Sequence, residues 1–179
     1  MDHHERPLIT AVTHSTSEAR ITLVGVPDEL GAAARIFEAL AEAGVDVDMI
    51  DQNVPISAGG RAAEISCTVP NEHLREARAA LEPLAGESYA ELIASEEIGK
   101  VSIVGAGMRS HPGVAAKVFR VLADEGVNIE MISTSPIKIS CVIPRARVEA
   151  VVRALHSAFE LSGPQTIVAE QTFAAGGAA

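Results

Sequence analysis

The sequence has no tryptophan, four phenylalanines and one tyrosine in 179 residues. So few rings leave Ala, Val, Ile and Leu to fill a core, and a hydrophobic content of 47% supplies enough of them. Basic charge is also short: 14 Lys and Arg stand against 24 Asp and Glu, a formal net charge of −10. That balance argues against nucleic acid, whose phosphates demand a basic face, and against an anionic membrane surface. No apolar run approaches the roughly 18–20 residues that cross a bilayer. The opening MDHHERPLI lacks the apolar centre of a secretion signal. The expectation is a cytoplasmic protein of one medium domain or two small ones. Cysteine is scarce too. Cys67 and Cys141 have no CxxC or metal spacing, lie in apolar strand-like runs, and read as buried, inert thiols.

Catalytic signatures are equally thin. The histidines are His3, His4, His14, His73, His111 and His156, and none has a metal-binding partner at i+3 or i+4. Neither a dinucleotide GxGxxG nor a GxxxxGK[ST] phosphate loop occurs. Gly105–Ala106–Gly107 follows a strand, but the next glycine is Gly113, too far along. Ser110–His111 are adjacent, and adjacent side chains rarely aim at each other. No catalytic residue, metal or cofactor is assigned.

What the chain does have is a duplication. Ile21–Val26 reads as a strand, Pro27–Gly31 as a turn, and Ala32–Ala43 as a helix with Ala33, Ile36, Phe37 and Leu40 on one face. Gly44 closes it. Val45–Val54 and Arg61–Val69 read as strands joined by a Gly59–Gly60 turn. Asn71 is placed to cap a helix running to about Leu84, and Ser88–Ala94 is a fourth strand. The second copy opens at Gly99. Val101–Gly105 is its strand, Ala106–Gly113 its loop, and Ala115, Val118, Phe119 and Leu122 its helix face. Val127–Asn128–Ile129–Glu130–Met131–Ile132 matches Val45–Asp46–Val47–Asp48–Met49–Ile50 position by position, and Ile139–Pro144 matches Ile65–Pro70. A helix from Arg145 to about Phe159 follows, with Thr166–Ala169 as a possible last strand. The fold class is therefore α+β: two tandem ferredoxin-like βαββαβ lobes, each an antiparallel sheet with helices on one face. The expected divisions are 1–17 as a tail and strand (Leu8–Thr13), 18–95 and 96–172 as the lobes, and 173–179 as a disordered tail.

In each copy a strand hands over to a helix through a loop ending in glycine, Gly31 or Gly113. A helix N-terminus offers backbone N–H groups and a positive dipole end, which suit a carboxylate. Asp28, three residues before Gly31, is placed to pair with an ammonium. Together these groups would recognise a free α-amino acid. The alternative is that Asp28 only shapes the turn and Gly31 only permits close packing.

The run GKVSIVGAGMRSHPGVAAKVFRVLADEGVNIEMISTSPIKISCVI resembles the regulatory region of aspartate kinases, and VGAGM-R-SHPG followed by NIEMISTS is highly specific to that family. ITLVGVPDELGAAARIFEALAEAGVDVDMIDQNV resembles the family's first regulatory module. The resemblance covers about Leu8–Leu161 and implies two ACT domains, small amino-acid-binding units. The family's kinase domain, which precedes this region, is absent from the sequence. The resemblance thus implies a chain that is not an enzyme by itself: the small regulatory subunit of a heteromeric aspartate kinase, partnered by a catalytic alpha subunit, or an excised regulatory fragment. A methionine just upstream of LITAV suits a separate subunit.

The family's effectors are L-threonine and L-lysine, held between the first module of one chain and the second module of another in a homodimer. Carried over by position, the threonine-type site uses Asp28, Leu30, Gly31, Ala32, Ala33 and Gln52, completed by Asn128 and Ile129 of the partner subunit. A second site uses Met108, Ser110, His111, Pro112, Gly113, Val114 and Thr134, facing Asp46 and Val47. Two departures stand out. Asp46 replaces the usual Asn, which either favours lysine's extra ammonium or abolishes binding there. Leu30 replaces the usual proline and leaves the first loop less rigid. In relatives the N-terminal strand often joins the second module's sheet. A free-standing amino-acid sensor acting on another partner is the competing reading, and an enzyme with an unrecognised site is a third.

Overall fold

A computed structural model describes residues 8–54, 62–106, 113–161 and 167–169. The chain forms two compact units, one of Ser17–Glu96 and one of Met1–Thr16 with Glu97–Ala179.

The Ser17–Glu96 unit contains β2 (Glu18–Pro27), α1 (Ala32–Glu42), β3 (Ile50–Asn53), β4 (Ala62–Pro70), α2 (Leu74–Leu81) and β5 (Glu91–Ser95). Its sheet order is β3-β4-β2-β5, with every neighbouring pair antiparallel. Alternation along the strands sends Ile21, Leu23, Ile65 and Val69 into one core with Ile36 and Leu40 of α1 and Leu81 of α2. Each such buried side chain contributes about 1.5–3 kcal/mol. Tyr89, the only tyrosine, is buried there and donates its hydroxyl to the Leu81 carbonyl at 2.9 Å.

The second unit contains β1 (Leu8–Ser15), β6 (Ile98–Ala106), α3 (Val114–Asp124), β7 (Met131–Ser135), β8 (Lys138–Pro144), α4 (Val148–Ala158) and β9 (Ile167–Ala169). Its sheet order is β7-β8-β6-β1-β9. Here Val12, Val101, Ile103 and Ile143 from the strands pack with Leu122 of α3 and Val151 and Leu155 of α4. The two repeats also share a hydroxyl pair between their first and third strands: Thr22 with Ser66, and Ser102 with Ser140, each at 2.8 Å.

The ferredoxin-like arrangement holds in both units, with two departures from the sequence reading. First, the strand expected from Val45 begins at Ile50, and the one expected from Val127 begins at Met131. The first amides of each stretch are committed to the helix ends, and the sheet is rejoined only at Asp48, whose N–H bonds the Thr68 carbonyl at 3.1 Å, and at Glu130, whose N–H bonds the Val142 carbonyl at 2.8 Å. Gly44 N–H and Val45 N–H bond the Ala41 and Leu40 carbonyls at 3.0 Å each. Gly126 and Val127 bond Ala123 and Leu122 at 2.9 Å each. The alternation survives this: Val45 and Met49 are buried while Asp46 and Asp48 are exposed. Second, Asn71 does not cap α2. It opens a 3-10 turn, Asn71–His73, so that His73 takes the cap position of α2, with no side-chain cap bond. The N-terminal strand, β1, lies in the second unit's sheet, the arrangement that the family resemblance allowed, and the strand at 167–169 lies outside β1 at the sheet edge. That edge strand runs parallel to β1, and β1 holds the place beside β6. The Gly59–Gly60 turn lies outside the described residues.

Candidate functional site

The glycine loop of the Ser17–Glu96 unit is shaped by its backbone. Glu29 N–H bonds the Pro27 carbonyl at 2.9 Å, and Ala32 N–H bonds the Glu29 carbonyl at 3.3 Å. Gly31 sits at φ 86 as the N-cap of α1. A side chain is strained at that angle, so glycine is required for the turn itself. No side chain caps α1 and its first turn carries no acidic residue, so the helix end keeps its positive character.

Strand pairing brings a second stretch to this loop. Gln52 lies opposite Ile65 in the β3–β4 register, and Ile65 faces the helix-side core. Opposite residues share a face, so Gln52 lies on the helix side, while its neighbour Asp51, opposite Ser66, lies on the other. Asp28, Leu30, Gly31, Ala32, Ala33 and Gln52 line one cavity of about 280 Å³. Asp28 and Gln52 are exposed and Ala32 is buried. Leu30 stands wholly clear of the protein at 101% exposure.

None of the remaining described candidates is among the residues that line this cavity. Asn128 is exposed and Ile129 half-buried on the stretch before β7; Asp46 and Val47 occupy the matching positions before β3. In the second unit Gly113 is the N-cap of α3 at φ 117, and Val114 is buried as the first helical residue. Thr134 pairs opposite Ile139, the register place that Gln52 holds opposite Ile65. Met108, Ser110, His111 and Pro112 lie outside the described residues.

The cavity also has lining that the sequence reading did not name: Val26, Pro27, Glu29, Ala34 and Ile65. Ile65 is brought there by strand register, which no local pattern shows. Glu29 was legible as an acid six residues before a base, Arg35, across a glycine. A larger cavity of about 670 Å³ lies between α2 and β5. No glycine lines it, and Arg75 at the start of α2, on its rim, is tied to Glu76 at 2.9 Å. Glu76 holds Arg75 above its usual pKa and is itself held below the usual carboxylate range by that hydrogen bond. Among the described residues, no three His, Cys, Asp or Glu side chains gather as a metal site. Cys67 and Cys141 are buried, and burial pushes their thiols up to about 12 and about 11.

Comparison with known proteins places these features. The ACT domain family matches the chain twice, over residues 21–83 and 101–159. The regulatory subunit of aspartate kinase from Thermus thermophilus, in its ligand-free form, is similar at 46% identity and a TM-score of 0.79. The match covers 85% of this chain and 99% of that one. Aspartate kinase from Synechocystis is similar at 41% identity and TM-score 0.83, over 96% of this chain and 29% of that one. The aspartokinase of Mycobacterium smegmatis is 42% identical over 165 residues, covering 92% of this chain. The chain spans only 39% of the length of that relative and 38% of the Thermus aspartokinase. With two ACT modules in the expected order and this likeness along nearly its whole length, the chain belongs to the family of aspartate kinase regulatory regions built from paired ACT domains.

Proposed function

We propose that this chain is a non-catalytic allosteric element that binds a pathway end-product amino acid, threonine or lysine, and so inhibits an associated aspartate kinase. The observation that carries the proposal is the gathering of Asp28, Leu30, Gly31, Ala32, Ala33 and Gln52 about one small cavity at the start of α1. Its chemistry is that of an α-amino acid site. The first-turn amides take the carboxylate, Asp28 takes the ammonium, and Gln52 offers an amide to the side chain. The cavity is on the small side for ligand pockets, which suits a single amino acid. The partner subunit's Asn128 and Ile129 complete it when two chains pair, first module to second. The loop before Gly113, with Val114 and Thr134, forms a second site facing the partner subunit's Asp46 and Val47.

Effector bound between chains favours the paired state over the open one. That difference in affinity is what allostery requires. The inhibited partner is a kinase-bearing alpha subunit in the cytoplasm; a solved assembly of aspartokinase alpha and beta subunits includes a chain similar to this one at 43% identity and TM-score 0.78. The lobes bounded at 18–95 and 96–172 act as the two binding modules.

Thermal unfolding with each of the twenty amino acids tests the proposal. A ligand at about 100 times its Kd adds roughly 2.7 kcal/mol, so threonine or lysine stands out, and Asp28→Ala removes the threonine response without loss of fold. A flat panel refutes effector binding. Light scattering in the presence of effector reports a dimer; a strict monomer refutes the shared site. Co-purification with an aspartate kinase catalytic chain supports the subunit role, whereas effector binding without that association favours a free-standing sensor.

A further inference from the structure

Glu29 and Arg35 meet across the glycine loop. Arg35 Nη2 donates to Glu29 Oε1 at 2.6 Å. Glu29 lines the Gly31 cavity. Arg35 sits one turn into α1 with its backbone N–H on the Gly31 carbonyl at 3.1 Å, and a Cβ built on Gly31 would lie 3.8 Å from its Nη1. The guanidinium therefore lies along the flank of the helix start, beside the glycine. A carboxylate is drawn to a helix N-terminus by the amides and the dipole. Glu29, two residues before Gly31, is thus a built-in competitor for the amides that a ligand carboxylate needs. Arg35 gives it another partner, and charge-assisted guanidinium–carboxylate bonds are among the stronger ones.

We infer that Arg35 is a specificity-determining residue of this cavity: it holds Glu29 aside, so that the helix start receives the ligand's carboxylate and Glu29 does not add a second acidic charge for the ligand's side chain to meet. The inference rests on the effector-site reading of the same loop and deepens it. It assigns the cavity to α-amino acids with a neutral side chain, threonine over lysine. Release of Glu29 does two things at once. It repels the ligand's carboxylate, and it rewards a second ammonium.

Calorimetric titration of the full chain with threonine and with lysine, at low ionic strength, tests this on wild type, R35Q and the double variant E29Q/R35Q. An exposed pair of this kind is worth up to about fivefold in affinity, so R35Q weakens threonine by that order and moves the threonine-to-lysine preference toward lysine. The double variant returns threonine to within about twofold of wild type, since no released carboxylate remains. Both side chains are partly exposed, at 38% and 57%, and circular dichroism melting verifies that all three proteins fold alike. If R35Q binds like wild type, or the double variant is as weak as R35Q, Arg35 does not act through Glu29 and the inference is overturned. If wild type binds neither amino acid, the effector-site reading itself falls and takes this inference with it.

Discussion

In the Ser17–Glu96 unit the strand beside β2 is β5, which follows α2 directly. In the other unit the same place, beside β6, is held by β1. There Thr10 donates its hydroxyl to the Val104 carbonyl at 3.2 Å across 94 positions of sequence. The cores are otherwise close copies. Leu81 and Leu155 fill matching positions on α2 and α4, both buried to 1% exposure or less. The difference shows what the strand in that place does. A strand there pairs the backbone groups on the second side of the first strand and moves the sheet edge outward, to β5 in one unit and to β9 in the other. Nothing in the packing dictates which end of the chain supplies that strand.

The largest expected effects test whether each unit stands on its own core. Leu155→Ala and Leu81→Ala each cost about 2–5 kcal/mol. Native-state hydrogen exchange reads where protection is lost. Loss confined to the substituted unit confirms two separate cores, and equal loss in both breaks the comparison.

A subtler contrast lies at the start of the first strands, where Ala19 in one repeat matches Gly99 in the other. A Cβ on Gly99 runs into Cγ2 of Val148 and lies 3.2 Å from the Ser15 carbonyl. Gly99→Ala is therefore expected to cost about 1–3 kcal/mol by overpacking. Ala19→Gly costs about 1 kcal/mol, from a lost buried methyl and a looser unfolded chain. Urea midpoints rank the two. The reverse order would mean that Val148 and Ser15 give way to the added methyl.

The thiols give a pH test. Both folded values lie above the ordinary value of 9.0, at about 12 for Cys67 and about 11 for Cys141. The stabilising contribution of the neutral thiol is full below pH 9. It falls as the unfolded chain ionises first, and is lost through the folded values. Stability should therefore drop between pH 9 and 12, by on the order of 1 kcal/mol per thiol at pH 10. Cys141 should label before Cys67; simultaneous labelling would show that one opening event exposes both. The smallest effect belongs to the surface. Arg153→Ala, which removes the 3.7 Å pair with Glu149 on α4, should change stability by no more than about 0.5 kcal/mol.

Much of this architecture could be read from the residues. The helix faces Ile36–Leu40 and Val118–Leu122 follow from spacing alone. So do the glycines that end α1 and α3, and the repeat that relates the two units. The place of the last strand did not follow. Composition alone does not tell whether Leu8–Thr13 or Thr166–Ala169 sits next to β6; the family resemblance allowed the N-terminal strand, and β1 is the one there. The strand starts at Ile50 and Met131 are not legible in side-chain alternation: amides at 44–45 and 126–127 serve the helix ends, and the sheet is rejoined only from Asp48 and Glu130. At the cavity, Asp28 and Gly31 announce themselves by turn chemistry. Gln52 came from the family resemblance, and its place beside the loop depends on a register with Ile65 that a single sequence does not fix. Glu29 and Arg35 were visible as opposite charges, but only the turn at Gly31 brings them together.

The position of β1 has a consequence for how the chain reaches its folded state. Because β1 and β6 flank Ser17–Glu96, the first ACT module is an insertion in the second, and the second cannot close its sheet until the whole insertion has been traversed. An unstructured loop of that length would impose a closure penalty and a slow search. A folded insert removes most of it. Ser15 and Lys100 face each other in the β1–β6 register, so an insert that folds first delivers both strands already side by side. The topology thus predicts an order of folding, the inserted module first. The inserted module serves as the clasp on which the second module assembles, and a lesion in its core should slow the folding of a sheet to which it contributes no strand.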